Sequence, residues 1–155
     1  MTQIFTLNIG SSTVKLDLFD DSLKKLKSES YYHENQWEKL KSKIENFLNQ
    51  HDLSNIVTAH RVVHGGQYFK TGTAINQETQ DKIKELIPLA PLHQPYNLKG
   101  IEICQNIGIQ NQYACFDTAA FNQIPAEKST ILVPTENIRK YGFHGLNHAY
   151  LLQSM

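Results

Sequence analysis

Leu7-Asn8-Ile9-Gly10-Ser11-Ser12-Thr13-Val14-Lys15 is the stretch on which the fold turns. An apolar run, Ile4 to Ile9, leads into it, and Val14, Leu16 and Leu18 alternate with Lys15, Asp17 and Phe19 on the way out. Alternation on both sides of a Gly-Ser-Ser turn predicts a β-hairpin. Gly10 permits close backbone approach, and Ser11, Ser12 and Thr13 offer hydroxyls beside backbone N–H groups. Lys15 adds a point charge on the outgoing strand. Small residues, several short donors and one lysine suit a phosphate chain. By itself the turn also reads as an ordinary solvated one, and it is no Walker motif.

Working outward, the 155 residues suffice for one domain with a real core. Fifteen basic and fifteen acidic side chains cancel, so there is no electrostatic footprint for nucleic acid or a membrane surface. Cys104 and Cys115 lie in apolar surroundings without metal-type spacing and read as buried thiols of a reducing compartment. No charged segment followed by an apolar core opens the chain, and no apolar run reaches membrane-span length. A cytoplasmic location is the expectation.

After the hairpin, Lys24 to Tyr32 predicts a third strand. Asn35 is placed to cap a helix with Trp37, Leu40, Ile44, Phe47 and Leu48 at helical spacing. Ile56 to Val63 predicts a strand stopped by Gly65-Gly66. Asn76 to Ile87 predicts a helix with Ile83, Leu86 and Ile87 on one face, halted by Pro88. Pro95 to Ile107 predicts another, with Leu98, Ile101 and Gln105 on its face and Gly108 as its stop. Tyr113 to Phe116 is a short buried strand running into Asp117, and Asn147 to Leu152 is helix-like. The order is that of an α/β domain with a mixed sheet, antiparallel at the hairpin and parallel where helices intervene.

In open α/β sheets ligands sit beyond the carboxyl ends of strands. Three of these strands end on polar residues: Asn8, then His60-Arg61 with His64, then Asp117. An amide, a guanidinium and a carboxylate delivered to one rim point to an active site. Arg61 closes an apolar strand, where it needs an anionic partner, and its fork suits a carboxylate or phosphate. A salt bridge to a structural acid is the competing account. The pairs His60/His64 and His144/His148 have metal-like spacing, but Arg61 and Gly145 stand where a helical zinc motif has Glu. For His64, His93 and His148, a hydrogen-bonded residue packing a loop reads equally well.

Five segments, in order, resemble the fingerprints of the acetate kinase family: Asn8 to Lys15, His60-Arg61-Val62-Val63-His64-Gly65-Gly66, Leu89-Ala90-Pro91-Leu92-His93-Gln94-Pro95, Phe116-Asp117-Thr118-Ala119, and Arg139-Lys140-Tyr141-Gly142-Phe143-His144-Gly145. The resemblance implies an α/β, ribonuclease H-like fold of the actin, Hsp70 and sugar-kinase group, with a mixed, partly parallel sheet flanked by helices. It also implies ATP-dependent phosphorylation of acetate to acetyl phosphate with magnesium (Mg2+), ADP being the other product. Asn8 would be linked to the magnesium, and Ser11, Thr13 and Lys15 would face the ATP phosphates. Arg61 would grip the acetate carboxylate. Val63, Leu92 and Phe143 would wall its methyl group, with His93 beside them. Asp117 would be the essential acid and His144 would stabilise the transferring phosphoryl group. Because a carboxylate acceptor is already ionised at neutral pH, Asp117 is expected to hold magnesium or Arg61 rather than to move a proton.

The chain departs from the family pattern at Ala120-Phe121-Asn122 and at Leu146-Asn147, the latter removing hydroxyls beside the phosphate path. Propionate is therefore an alternative acceptor. The resemblance further implies that residues 1–155 are an amino-terminal acyl-binding domain. A nucleotide-binding second domain would lie beyond, so this chain alone would be inactive and any homodimer would belong to the full-length protein. The other readings are a non-catalytic binding domain of the same fold and a kinase with an alcohol acceptor. The latter would want a second acid as general base.

Overall fold

A computed structural model of the chain describes residues 1–131 and 139–155. The hairpin forms as its alternation requires. β1 (Gln3–Ile9) and β2 (Thr13–Phe19) run antiparallel, with Ile9 opposite Val14 and Ile4 opposite Phe19. β3 (Lys25–Tyr32) adds antiparallel to β2. The chain crosses through α1 (Trp37–Leu48) to β4 (Ile56–Val62), which lies parallel beside β1. A two-residue edge strand, β5 (Thr73–Ala74), precedes α2 (Gln77–Glu85) and α3 (Gln94–Asn106). These return the chain to β6 (Asn111–Phe116), parallel to β4 and antiparallel to β5. The sheet order is β3-β2-β1-β4-β6-β5. α4 (Ala126–Ser129) and α5 (Gly145–Gln153) follow. Among the described residues no helix is long and apolar enough to cross a membrane.

The period of two divides the sheet into unlike faces. Phe5, Leu7 and Ile9 join Val14, Leu16 and Leu18 under Leu40, Ile44 and Phe47 of α1 and Ile103 and Cys104 of α3. Val62, Ala114 and Phe116 continue that buried face beneath Ile83, Leu86 and Ile101. Helix α3 crosses β1 so closely that a Cβ on Gly100 would lie 2.8 Å from Ile9 Cδ1. Thr6, Asn8, Ala59 and Arg61 occupy the other face and stay half-buried.

Several expectations need correction. Asn35 does not cap α1: Gln36 stands there without a side-chain cap bond, and Asn35 takes a left-handed φ of 58°. Asn76 does cap α2, its Oδ1 accepting from the Thr79 N–H at 2.8 Å. That helix ends at Glu85, and Pro88 lies within a separate 3-10 turn, Ile87–Leu89. Gln105 is exposed, because α3 buries Gln94, Asn97, Gly100, Ile101 and Cys104 instead. Cys104 is buried, and that burial pushes its thiol well above the usual range, whereas Cys115 is only half-buried. Both are free.

Candidate active site

Register brings the three polar strand ends together. Leu7 pairs with His60 across β1 and β4, and Val62 pairs with Phe116 across β4 and β6. Asn8, Arg61 and Asp117 therefore reach the same end of three adjacent strands. Arg61 Nε donates to both Asp117 oxygens at 3.2 Å, and Nη2 donates to Oδ2 at 2.6 Å. Arg61 Nη1 reaches Asn8 Oδ1 at 3.4 Å. Asp117 is 2 % exposed at its side chain and Arg61 31 %, so the carboxylate is the buried member and the guanidinium faces outward. This geometry realises the ion-pair account of Arg61 without closing its remaining edge to a ligand.

His144 joins the group from the start of α5. Its φ of 57° is left-handed, an unusual backbone for a residue with a side chain. The next residue explains how it is held: a Cβ on Gly145 would collide with the Asp117 carbonyl oxygen and with Ala120. His144 Nδ1 lies 3.4 Å from Arg61 Nη2. An arginine N–H only donates, so Nδ1 accepts and Nε2 carries the ring proton.

Two hollows meet at this cluster. One, of about 420 Å³, is lined by Arg61, Val63, Leu92, His93, Asp117, Phe143 and His144, together with Ile9, Gly10, Leu89, Ala90 and Pro91. The second, of about 320 Å³, is lined by Asn8, Arg61, Asp117, His144, Leu146 and Asn147. Arg61, Asp117 and His144 border both. Leu92 and Phe143 belong to the first wall yet are 71 % and 44 % exposed. Ser11, Thr13 and Lys15 are exposed at the hairpin end and line neither hollow. Lys15 pairs with Asn8 in register, about 10 Å of sheet from Arg61.

His60, His64 and His148 line neither hollow. His60 faces the core, since its neighbour Arg61 has the outer face, and its Nε2 bonds Gln112 Oε1 at 2.7 Å. Burial pushes its pKa down to about 4. His64 is buried, accepts from the Gly66 N–H at 2.9 Å and packs under Tyr141 and Phe143; burial lowers its pKa too. His148 packs against Phe121. Among the described residues no group of three or more His, Cys, Asp or Glu could hold a metal ion.

Three further buried residues hold the site's loops. Gln94 accepts from the His64 N–H and donates to the His64 carbonyl, and Asn97 links the Val63 N–H to the Ile9 carbonyl. Thr118 Oγ1 accepts from the Gly65 N–H at 2.9 Å. Their only signal in the sequence is a polar residue where the stripe of α3, or the step after β6, should be apolar.

The family model described as the acetokinase family matches residues 24–155. This chain belongs to the acetokinase family. An acetate kinase of Francisella tularensis subsp. holarctica is 35% identical over 97% of this chain and 47% of its own length. One from Flavobacterium johnsoniae is 48% identical over 59% of this chain and 25% of its own length. Among solved structures, a propionate kinase of Francisella tularensis subsp. tularensis superposes with a TM-score of 0.82 at 34% identity, over 99% of this chain and 48% of that one. Acetate kinase of Entamoeba histolytica gives 0.82 at 27% identity, over 99% of this chain and 45% of that one. The α/β, ribonuclease H-like fold with its partly parallel sheet is thus that of acetokinases. The chain spans about half the length of the relatives it matches along its whole extent.

Proposed function

We propose that this chain is the acyl-binding part of a kinase that phosphorylates acetate or propionate from ATP. The observation that carries the reading is Arg61, its Nε and Nη2 held by a buried Asp117, at the mouth of a hollow walled by Val63, Leu92 and Phe143. A short carboxylic acid has an anionic head for the guanidinium and an apolar tail for that wall. The hollow exceeds what a two-carbon acid fills, and a propionate kinase stands among the similar structures; both favour propionate as a second acceptor.

In the proposed reaction an acceptor carboxylate oxygen forms a bond to the terminal phosphorus of ATP. The bond from that phosphorus to the bridging oxygen breaks, giving the acyl phosphate and ADP. The acceptor is ionised at neutral pH, so no side chain has to remove a proton. Arg61 orients the carboxylate. His144, with Nδ1 toward Arg61, has its Nε2–H available for an equatorial phosphoryl oxygen. Asp117 keeps Arg61 in place. Ser11, Thr13 and Lys15 would meet the nucleotide phosphates, and the adenosine would be held by the part of the relatives' length that this chain does not span.

Magnesium fits only as an ion carried on those phosphates. Among the described residues the one carboxylate at the site has both oxygens committed to Arg61, which is no cage for a cation, whereas Asn8 Oδ1 has a weak 3.4 Å contact to give up. Asn8, and Asp117 through water, are the residues that would hold it. It would supply charge neutralisation between the phosphate oxygens.

The test is acyl phosphate formation by this sequence joined to the second half of a relative, with acetate, propionate and glycerol offered in parallel. Formation from the two acids and not from glycerol is expected; phosphorylation of glycerol alone would contradict the reading. The 155-residue chain by itself should show little or no turnover.

A further inference from the structure

His33 is 4 % exposed and takes no part in the chemistry above. Its ring lies stacked on Trp37, centroids 5.0 Å apart, and tilted against Tyr96 at 5.4 Å. Both ring nitrogens are used. Nε2 is 3.1 Å from the Gly10 carbonyl and must donate to it, while Nδ1 accepts from the Asn35 N–H at 3.1 Å. The His33 backbone N–H donates to the Ser12 carbonyl, also at 3.1 Å. One residue thus secures two carbonyls of the Gly10–Thr13 turn.

The consequence follows from peptide geometry. In a trans peptide the C=O and the following N–H point in opposite directions, and no peptide bond among the described residues is cis. Drawing the Gly10 and Ser12 carbonyls toward His33 turns the N–H groups of Ser11 and Thr13 away from it. The turn closes from the Gly10 N–H to the Thr13 carbonyl at 2.8 Å. The Gly10 carbonyl, which in such a turn ordinarily accepts from the fourth residue's N–H, serves the imidazole instead. Outward-facing amides beside the exposed hydroxyls of Ser11, Ser12 and Thr13 make a set of short donors suited to an anion. The strap behind is strained. Glu34 and Asn35 take left-handed φ of 47° and 58°, and they bring the Asn35 N–H back onto Nδ1.

We infer that His33 is a positioning residue of the hairpin turn, holding the Gly10 and Ser12 carbonyls back so that the Ser11 and Thr13 amides face a polyphosphate. This rests on the proposed role of the turn toward the nucleotide phosphates. The test titrates inorganic tripolyphosphate into the 155-residue chain and follows backbone amide shifts by NMR. His33→Phe keeps an aromatic ring in the stack and removes both ring-nitrogen bonds. His33→Gln restores a donor toward Gly10, and His33→Asn is too short to reach it.

Shifts at Ser11 and Thr13 are expected in the natural sequence, weakened about fivefold by His33→Phe and by His33→Asn and recovered to within about twofold by His33→Gln. Acetate binding at Arg61 should not change in any variant. Equal tripolyphosphate affinity in His33→Asn or His33→Phe overturns the inference and leaves the role of the turn standing. No shift at the turn in the natural sequence overturns both, while acetate binding would still support the Arg61 hollow.

Discussion

Asp117 spends both carboxylate oxygens on Arg61, receiving Nε at 3.2 Å and Nη2 at 2.6 Å while itself almost fully buried. A group so committed is a good orienting anchor. Asp117→Asn should therefore weaken acetate binding about tenfold, since the guanidinium loses its charged partner. Urea unfolding should show a loss of about 1–3 kcal/mol, moderated because Arg61 can still be solvated. In the rejoined enzyme the pH profile should keep its shape; a shifted profile with unchanged magnesium dependence would return Asp117 to proton transfer.

Gly145 is the point where α5 touches the carbonyl of Asp117. Gly145→Ala should cost about 1–3 kcal/mol and displace His144, because backbone rather than a flexible side chain blocks the added methyl. Gly72→Ala meets only ordinary contacts, at 3.8 Å from the Ala114 carbonyl, and should leave stability within about 1 kcal/mol. Chemical denaturation of the two variants side by side checks this.

His60 gives stability a pH dependence of known sign. Burial lowers its folded pKa to about 4, against 6.5 for an unhindered imidazole, so the unfolded chain binds a proton first as pH falls. The contribution is complete above pH 6.5, declines as pH drops from 6.5 toward 4, and amounts to roughly 3 kcal/mol. His64, lowered for the same reason, acts in the same direction. Urea midpoints at pH 7.5 and pH 5 should differ accordingly, and a His60 NMR titration centred near 6.5 would contradict the assignment.

Val63 lines the hollow of about 420 Å³ beside Arg61. Val63→Ala should shift preference from acetate toward propionate or butyrate by about fivefold, the worth of a methylene in an apolar pocket. Leu92→Ala should shift it less, because Leu92 is largely exposed. Competition between the acids for the rejoined enzyme measures both.

What could be read without coordinates depended on how local the cause was. The hairpin, α1 and the parallel crossover follow from alternation, helical spacing and chain order. Asn8, Arg61 and Asp117 were visible as polar residues ending apolar strands. His60 was grouped with them because adjacency in sequence hides the alternation of faces that separates it from Arg61. Gln94 and Asn97 went unnoticed, since a polar residue in a helix is ordinarily taken to face water. The strand Thr73–Ala74 is too short to have a pattern, and its pairing is set by the edge of β6. Leu98 and Ile101 do face the core, but Gln105 does not, because Gly100 at the crossing fixes which face of α3 sits on β1.

The most direct measurement of the central claim is a titration of ¹³C-labelled acetate into the 155-residue chain, observed by NMR in the natural sequence and in Arg61→Gln. Saturable shifts at Val63, Phe143 and the Arg61 Nε–H, lost in Arg61→Gln while Asp117 and the fold persist, are the predicted result. Acetate that binds Arg61→Gln as well as the natural sequence, or that shifts residues away from this hollow, would contradict it.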